Sequence, residues 1–176
     1  RNESGEIKTF PVVEMVFHPE HNLVEYLLSP ALLDKALEER AKTVAVDVIK
    51  KLEMVGILAV EMFLTKENKI LVNEIAPRPH NSGHQSIEGN FVSQYDQHLR
   101  AILNFPLGAI TTKISSAMVN ILGEDGFTGN AKYEGMDEIM KIAGASVHLY
   151  GKKLTKPFRK MGHVTITDPS LSSLKR

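Results

Sequence analysis

No cysteine occurs among the 176 residues, which excludes disulfides, thiolate metal sites and cysteine nucleophiles together. No apolar run is long enough to cross a bilayer. The stretch at 56–60 is among the longest, whereas a membrane helix needs about 20 such residues. Net charge is also lacking: Lys plus Arg and Asp plus Glu number 21 each, so no overall field draws the chain to nucleic acid or anionic lipid. Neither is expected as a partner, and any anion is held by local groups. There is no internal repeat and no low-complexity tract. What remains is the composition of a soluble globular protein, 43% hydrophobic and 24% charged, long enough for one domain or for a larger and a smaller one. The chain opens on Arg1 rather than Met and runs into a strand-like stretch without a leader, so a cytoplasmic fragment of a longer protein is expected.

Along the chain, residues 7–17 are rich in Val, Phe and Ile with Pro11 among them, and read as a bent or edge strand. A second strand is expected at 23–28. Ser29-Pro30 reads as a helix start, after which Leu32, Leu33, Ala36, Leu37, Val44, Val48 and Leu52 recur at helical spacing until Gly56. Residues 57–64 are apolar apart from Glu61, as in a strand covered on both faces, and a polar turn at 66–69 leads into a strand at 70–75. Together these make a hairpin. Two prolines and a glycine at 76–83 exclude regular structure there, and a helix is expected near 92–103. The segment 104–112 is the candidate boundary between a domain at 1–107 and a smaller one at 108–176. Beyond it, strands are expected near 117–122, 146–150 and 163–167, with a short helix near 136–142.

The hairpin carries the first chemical signal. If it closes with Thr65 opposite Ile70, then Phe63 faces Val72 and Glu61 faces Glu74. Directly opposed side chains have Cβ atoms only about 4.5–5.5 Å apart, and like charges there repel. Either one glutamate is protonated, or the register slips, or a divalent cation sits between them. The cation is the best answer, because magnesium takes one or two carboxylates together with nucleotide phosphates.

The following loop carries the second. Pro77 and Pro79 fix φ on either side of Arg78, which restricts the guanidinium and suits it to a planar oxyanion or a phosphate. A surface salt bridge is the plainer alternative. His80 and His84 can each simply tie the loop in place, and His80 is the better functional candidate because it lies nearer Arg78. The cluster Lys152, Lys153, Lys156, Arg159 and Lys160 would by itself read as a solvated basic hairpin.

Residues 56–63 (GILAVEMF) followed by 71–84 (LVNEIAPRPHNSGH) resemble the metal-binding hairpin and loop of the ATP-grasp superfamily. The NSGH ending, Ser93-Gln94 and His98-Leu99-Arg100-Ala101-Ile102 are similar to the carboxyaminoimidazole ribonucleotide synthetases, as are Tyr150-Gly151-Lys152 and Phe158-Arg159-Lys160-Met161-Gly162-His163. The resemblance implies an α+β fold: the C-terminal half of an ATP-grasp domain, mostly antiparallel sheet with packed helices, followed by a small C-terminal α/β subdomain. It implies an ATP-dependent ligase of purine biosynthesis, a homodimer, that carboxylates aminoimidazole ribonucleotide with bicarbonate through carboxyphosphate.

By the same matching, Glu61 and Glu74 hold Mg2+ or Mn2+ on the ATP phosphates, with Asn73 and, on a looser match, His18 near the nucleotide. Arg78 and His80 serve bicarbonate and the reacting groups, with Asn81 beside them. Lys152 and Arg159, assisted by Lys160, grip the ribonucleotide phosphate. Ala76 stands where the wider superfamily often has a further Asn ligand, which leaves two carboxylates for the metal. The glycine-rich lid and the adenine-binding strand are not found in this chain and are expected before Arg1, so little turnover is expected of the chain alone. Formate-dependent glycinamide ribonucleotide formyltransferase, with a similar PRPH segment, is the nearest rival. A non-catalytic binding or subunit-contact module is the alternative from another class.

Overall fold

A computed structural model describes residues 1–18 and 24–175. The architecture is α+β, and the chain divides into two compact units, one of Arg1–Glu14 and Ser29–Lys113, the other of Met15–Leu28 and Ile114–Arg176. Two short segments of the chain, β1 (Glu14–Phe17) and β2 (Val24–Ser29), join the sheet of the second unit. Only Glu14–Phe17 of the strand expected at 7–17 is regular, since Pro11 has no N–H to give to a ladder. Of the strand expected at 23–28, Leu23 lies outside the described residues.

In the first unit, α1 (Lys35–Lys51) begins at Asp34 and not at Ser29-Pro30. The Asp34 carboxylate accepts from the Leu37 amide at 2.8 Å, satisfying one of the orphan donors of the first turn. β2 runs through Ser29, and Leu32 is left 63% exposed outside the helix. Leu37, Ala41 and Ile49 form its buried stripe, and Lys50 and Lys51 in the last turn complement the helix dipole.

The hairpin of β3 (Ala59–Leu64) and β4 (Ile70–Ala76) follows. Its turn is one residue longer than the sequence implies: Leu64 pairs with Ile70, Phe63 with Leu71 and Met62 with Val72. Thr65 N donates to Lys69 O, and Asn68 takes a left-handed φ of 58° that the Asn side chain tolerates. The expected cover on both faces is not present either. β3 and β4 form a two-stranded sheet, and Phe63 and Leu71 are 55% and 52% exposed, because a ribbon has no third strand to lend cover.

After the hairpin come a 3-10 turn at Asn81–Gly83, α2 (Ser86–Gly89) and α3 (Gln94–Ile102), the last capped by Ser93, whose hydroxyl accepts from the Asp96 amide at 3.2 Å. In the second unit β5 (Ser115–Leu122), β7 (Ala145–Leu149) and β9 (Lys160–Asp168) complete an antiparallel sheet in the order β1-β2-β5-β9-β7. Leu27, Leu28, Met118 and Thr165 are its fully buried centre. A two-residue pair, β6 (Gly129–Asn130) with β8 (Leu154–Thr155), and the short α4 (Met136–Met140) decorate it.

Asp34→Ala should lower stability by about 1 kcal/mol, the usual worth of an N-cap, in a denaturant titration of the protein. An unchanged midpoint would show that α1 does not depend on this cap.

Candidate metal and anion site

Glu61 and Glu74 are direct partners across the ladder. The register that brings them together is produced by a bulge: Met62 pairs with Val72 and Glu61 with Glu74, so Asn73 is an extra residue on β4. A bulge sets two residues against one and re-aims side chains, here Asn73 and Glu74 against Glu61. The longer turn and the bulge offset each other by one residue. That is why the simple count from the turn reaches the right pair by a register that is wrong between them.

His80 completes the cluster. One ligand atom each from Glu61, Glu74 and His80 lie within 4.8 Å of one another, which among the described residues is the one such group of three. The His80 Nε2 is 3.6 Å from Glu61 Oε1. On its other side the ring faces Ser82, whose amide donates to Nδ1 at 3.4 Å while its hydroxyl lies 2.9 Å away. With Nδ1 accepting, a neutral ring carries its proton on Nε2 and presents it to Glu61. The donor set fits a hard cation through its two carboxylates. The imidazole is a poorer magnesium ligand and is better employed in orienting Glu61.

The loop bearing His80 is held by a residue that the sequence reading did not single out for a role. Gln94, 3% exposed at the start of α3, accepts from the His80 amide at 2.8 Å through Oε1 and donates to the His80 carbonyl at 2.8 Å through Nε2. These two bonds fix which end of the amide is which. Nε2 also lies 2.8 Å from His84 Nδ1, which therefore accepts, so a neutral His84 carries its proton on Nε2. The Tyr95 hydroxyl is 2.7 Å from the same atom, and burial raises the Tyr95 pKa. His84 is thus tied into the scaffold.

Gly83 is required by the same clamp: a Cβ there would lie 2.5 Å from Gln94 Oε1 and 2.8 Å from its Cδ. The Ser86 hydroxyl donates to the Gly83 carbonyl and accepts from the Gln94 backbone N–H at 2.9 Å. Nothing local marks Gln94, since a polar residue just inside a helix reads as surface. The glycine at 83 is the only sequence signal for a close approach.

The remaining candidates are placed as follows. Arg78 is exposed, with Nη1 donating to the Pro79 carbonyl at 3.0 Å, so one of its donors is spent on its own turn. Asn81 opens the 3-10 turn after His80. His18 follows β1 in the second unit and is not part of the carboxylate cluster. Lys152 and Arg159 lie on the excursion between β7 and β9, and Lys160 opens β9, also in the second unit. Lys152 Nζ donates to the Lys160 carbonyl at 2.6 Å, and Arg159 Nη1 to the Leu154 carbonyl at 3.0 Å, so both cations brace the loop that carries them.

Gln94→Ala should free the His80 backbone while the rest of α3 persists. The expected result is hydrogen exchange at the His80 amide faster by about tenfold or more, the equivalent of one lost hydrogen bond of about 1.5 kcal/mol. Unchanged protection at His80 would refute the clamp.

Residues 1–95 match the ATP-grasp domain family, and residues 116–176 match the phosphoribosylaminoimidazole carboxylase C-terminal domain. The chain is 44% identical over 180 residues to the chloroplastic phosphoribosylaminoimidazole carboxylase of Vigna aconitifolia, an alignment covering 99% of this chain and 31% of the relative. Among solved structures it is similar to N5-carboxyaminoimidazole ribonucleotide synthetase from Thermotoga maritima, with 48% identity, a TM-score of 0.90, and 98% of this chain and 46% of that one covered. It is also similar to N5-carboxyaminoimidazole synthase from Aspergillus clavatus in complex with ADP and 5-aminoimidazole ribonucleotide, with 36% identity, a TM-score of 0.86, and 94% and 44% covered. The chain therefore spans between about a third and a half of the proteins it matches. By its opposed glutamates, its clamped loop and the match over residues 1–95, the chain belongs to the ATP-grasp family.

Proposed function

We propose that this chain is the metal-bearing and acceptor-binding portion of an ATP-dependent ligase of purine biosynthesis. The reaction joins bicarbonate to the exocyclic amine of aminoimidazole ribonucleotide and releases ADP and phosphate. The observation that carries the reading is Glu61 opposite Glu74, with His80 of the Pro77–His80 loop against Glu61. The likeness over nearly the whole chain to synthetases of this name supports the choice of substrates.

In this reading Glu61 and Glu74, with Asn73 beside them, hold Mg2+ or Mn2+, which when bound offsets negative charge on the nucleotide phosphates. Arg78 holds the flat bicarbonate anion through its guanidinium fork. A bicarbonate oxygen bonds to the γ-phosphorus as ADP departs, giving carboxyphosphate; the amine nitrogen then bonds to the carboxyl carbon as phosphate leaves and takes up the amine proton. His80, its Nε2 proton directed at Glu61, keeps that carboxylate aimed and steadies the reacting anion, with Asn81 following it in the turn. Such chemistry needs no protein nucleophile, because positioning and placed positive charge do most of the work.

Lys152 and Arg159, helped by Lys160, anchor the ribonucleotide phosphate, and His18 contributes on the nucleotide side. Residues 1–107 thus carry the ATP-grasp function and 108–176 the acceptor function, with β1 and β2 contributed to the second unit's sheet. Among the described residues no helix is long and apolar enough to cross a membrane, and we place the parent enzyme in the cytoplasm as a homodimer.

The parent enzyme supplied with ATP, bicarbonate and aminoimidazole ribonucleotide should release ADP, whereas glycinamide ribonucleotide with formate should not support turnover. The opposite preference would overturn the assignment. Glu74→Gln should lower kcat by about a hundredfold or more with the fold retained, since one charge at the cation is worth several kcal/mol. Arg78→Ala should act on bicarbonate use and on kcat, and Lys152→Ala on the KM for the ribonucleotide. Equal effects of both on both substrates would refute this division.

A further inference from the structure

Lys152 does not project freely from its loop. Its Nζ lies over the Tyr150 ring, 5.5 Å from the centroid, while donating to the Lys160 carbonyl. A cation over a phenol face is held by the ring quadrupole. Gly151 makes this possible: its φ of +67° folds the chain so that residue 152 returns over residue 150, and an L side chain rarely takes that conformation.

Tyr150 is itself tied down at both ends. Its amide donates to the Met161 carbonyl at 2.9 Å, extending the ladder one residue past β7. Its hydroxyl lies 3.0 Å from Nδ1 of His163, which is 2% exposed. His163 in turn stacks on its cross-strand partner His148, with centroids 4.4 Å apart and planes 13° from parallel. The spacing Tyr-Gly-Lys is thus a platform, a turn and a cation, joined through His163 to the rigid strands of the sheet.

We propose that Tyr150 is a positioning residue for Lys152, holding the ammonium at a fixed point at the neck of the basic loop. The inference rests on the reading of Lys152 as a phosphate anchor. An ammonium has three donors, and the Lys160 carbonyl takes one, so two remain to meet phosphate oxygens from a cation already placed. A lysine left mobile would have to be ordered at each binding event, and the acceptor's affinity would fall accordingly. His163 serves at one remove, by fixing the tilt of the phenol.

The test is a double-mutant cycle in the parent enzyme, read as the KM for aminoimidazole ribonucleotide at saturating ATP and bicarbonate. Tyr150→Leu should raise that KM by about five- to tenfold with kcat within about twofold, and Tyr150→Phe, which keeps the ring, should raise it less. In the Lys152→Ala background Tyr150→Leu should add little, because no cation is left to position. The same increase in that background, or equal effects of Leu and Phe, would overturn the proposal. Should Tyr150→Leu not fold, 3,4,5-trifluorophenylalanine at 150 replaces it. That ring has nearly the shape of Phe but a weakened π face, and a KM no higher than that of Tyr150→Phe would overturn the proposal equally. If Lys152→Ala alone leaves the KM unchanged, the phosphate-anchor reading fails instead, and with it the basis for the inference.

Discussion

Repulsion between Glu61 and Glu74 is the constraint around which the first unit is arranged. Each faces the other across a two-stranded ribbon that supplies no basic partner from either strand's register. Like charges directly opposed in a sheet destabilise it, and a ribbon of two strands has little packing with which to absorb the cost. The His80 imidazole at 3.6 Å from Glu61 is the nearby group that moderates the charge, and the loop that brings it there has no regular structure to hold its shape. The rigidity comes from elsewhere. A buried glutamine amide satisfies both backbone polar groups of His80, and a glycine three residues on leaves the room for it. In the proposed function this order makes sense: two carboxylates kept at one point despite their repulsion are preorganised for a cation that later removes it.

The second unit solves a similar problem with the opposite charge. Lys152 and Arg159 sit between β7 and β9, and each donates to a strand carbonyl, that of Lys160 at the start of β9 and that of Leu154 in β8. Positive charge is thereby fixed to the backbone before any anion arrives. His163 behind Tyr150 is buried in the sheet and stacks on half-buried His148, so the loop's geometry is anchored in its most rigid part.

Much of this was legible in the sequence, for identifiable reasons. The hairpin and α1 carry strong periodicities, and the long strands β5 and β9 alternate or stay apolar over many residues. Ser29-Pro30 resembles a helix start, yet the residue that caps α1 is Asp34, four positions before the first acidic residue of the turn. The Glu61–Glu74 pair follows from a count along the hairpin, but the bulge at Asn73 does not, since a bulge without glycine leaves no mark in composition. β6 and β8, two residues each, exist only because tertiary packing places them side by side. Gln94 and Tyr150 were visible merely as parts of a family-like string. Their roles depend on hydrogen bonds and a ring contact spanning a turn or a strand, which no local pattern encodes.

The most direct measurement is thermal unfolding of the parent enzyme and its Glu74→Gln variant, each without divalent cation and then with Mg2+ and ADP. A site built on opposed charges predicts a crossing. Without the cation the variant should be as stable as the native protein or more so, because repulsion is relieved; with the cation and ADP the native protein should gain the larger increase in Tm. A variant that is less stable in both conditions, or that gains as much as the native protein, would show that the glutamate pair is a structural feature of the hairpin and not a cation site.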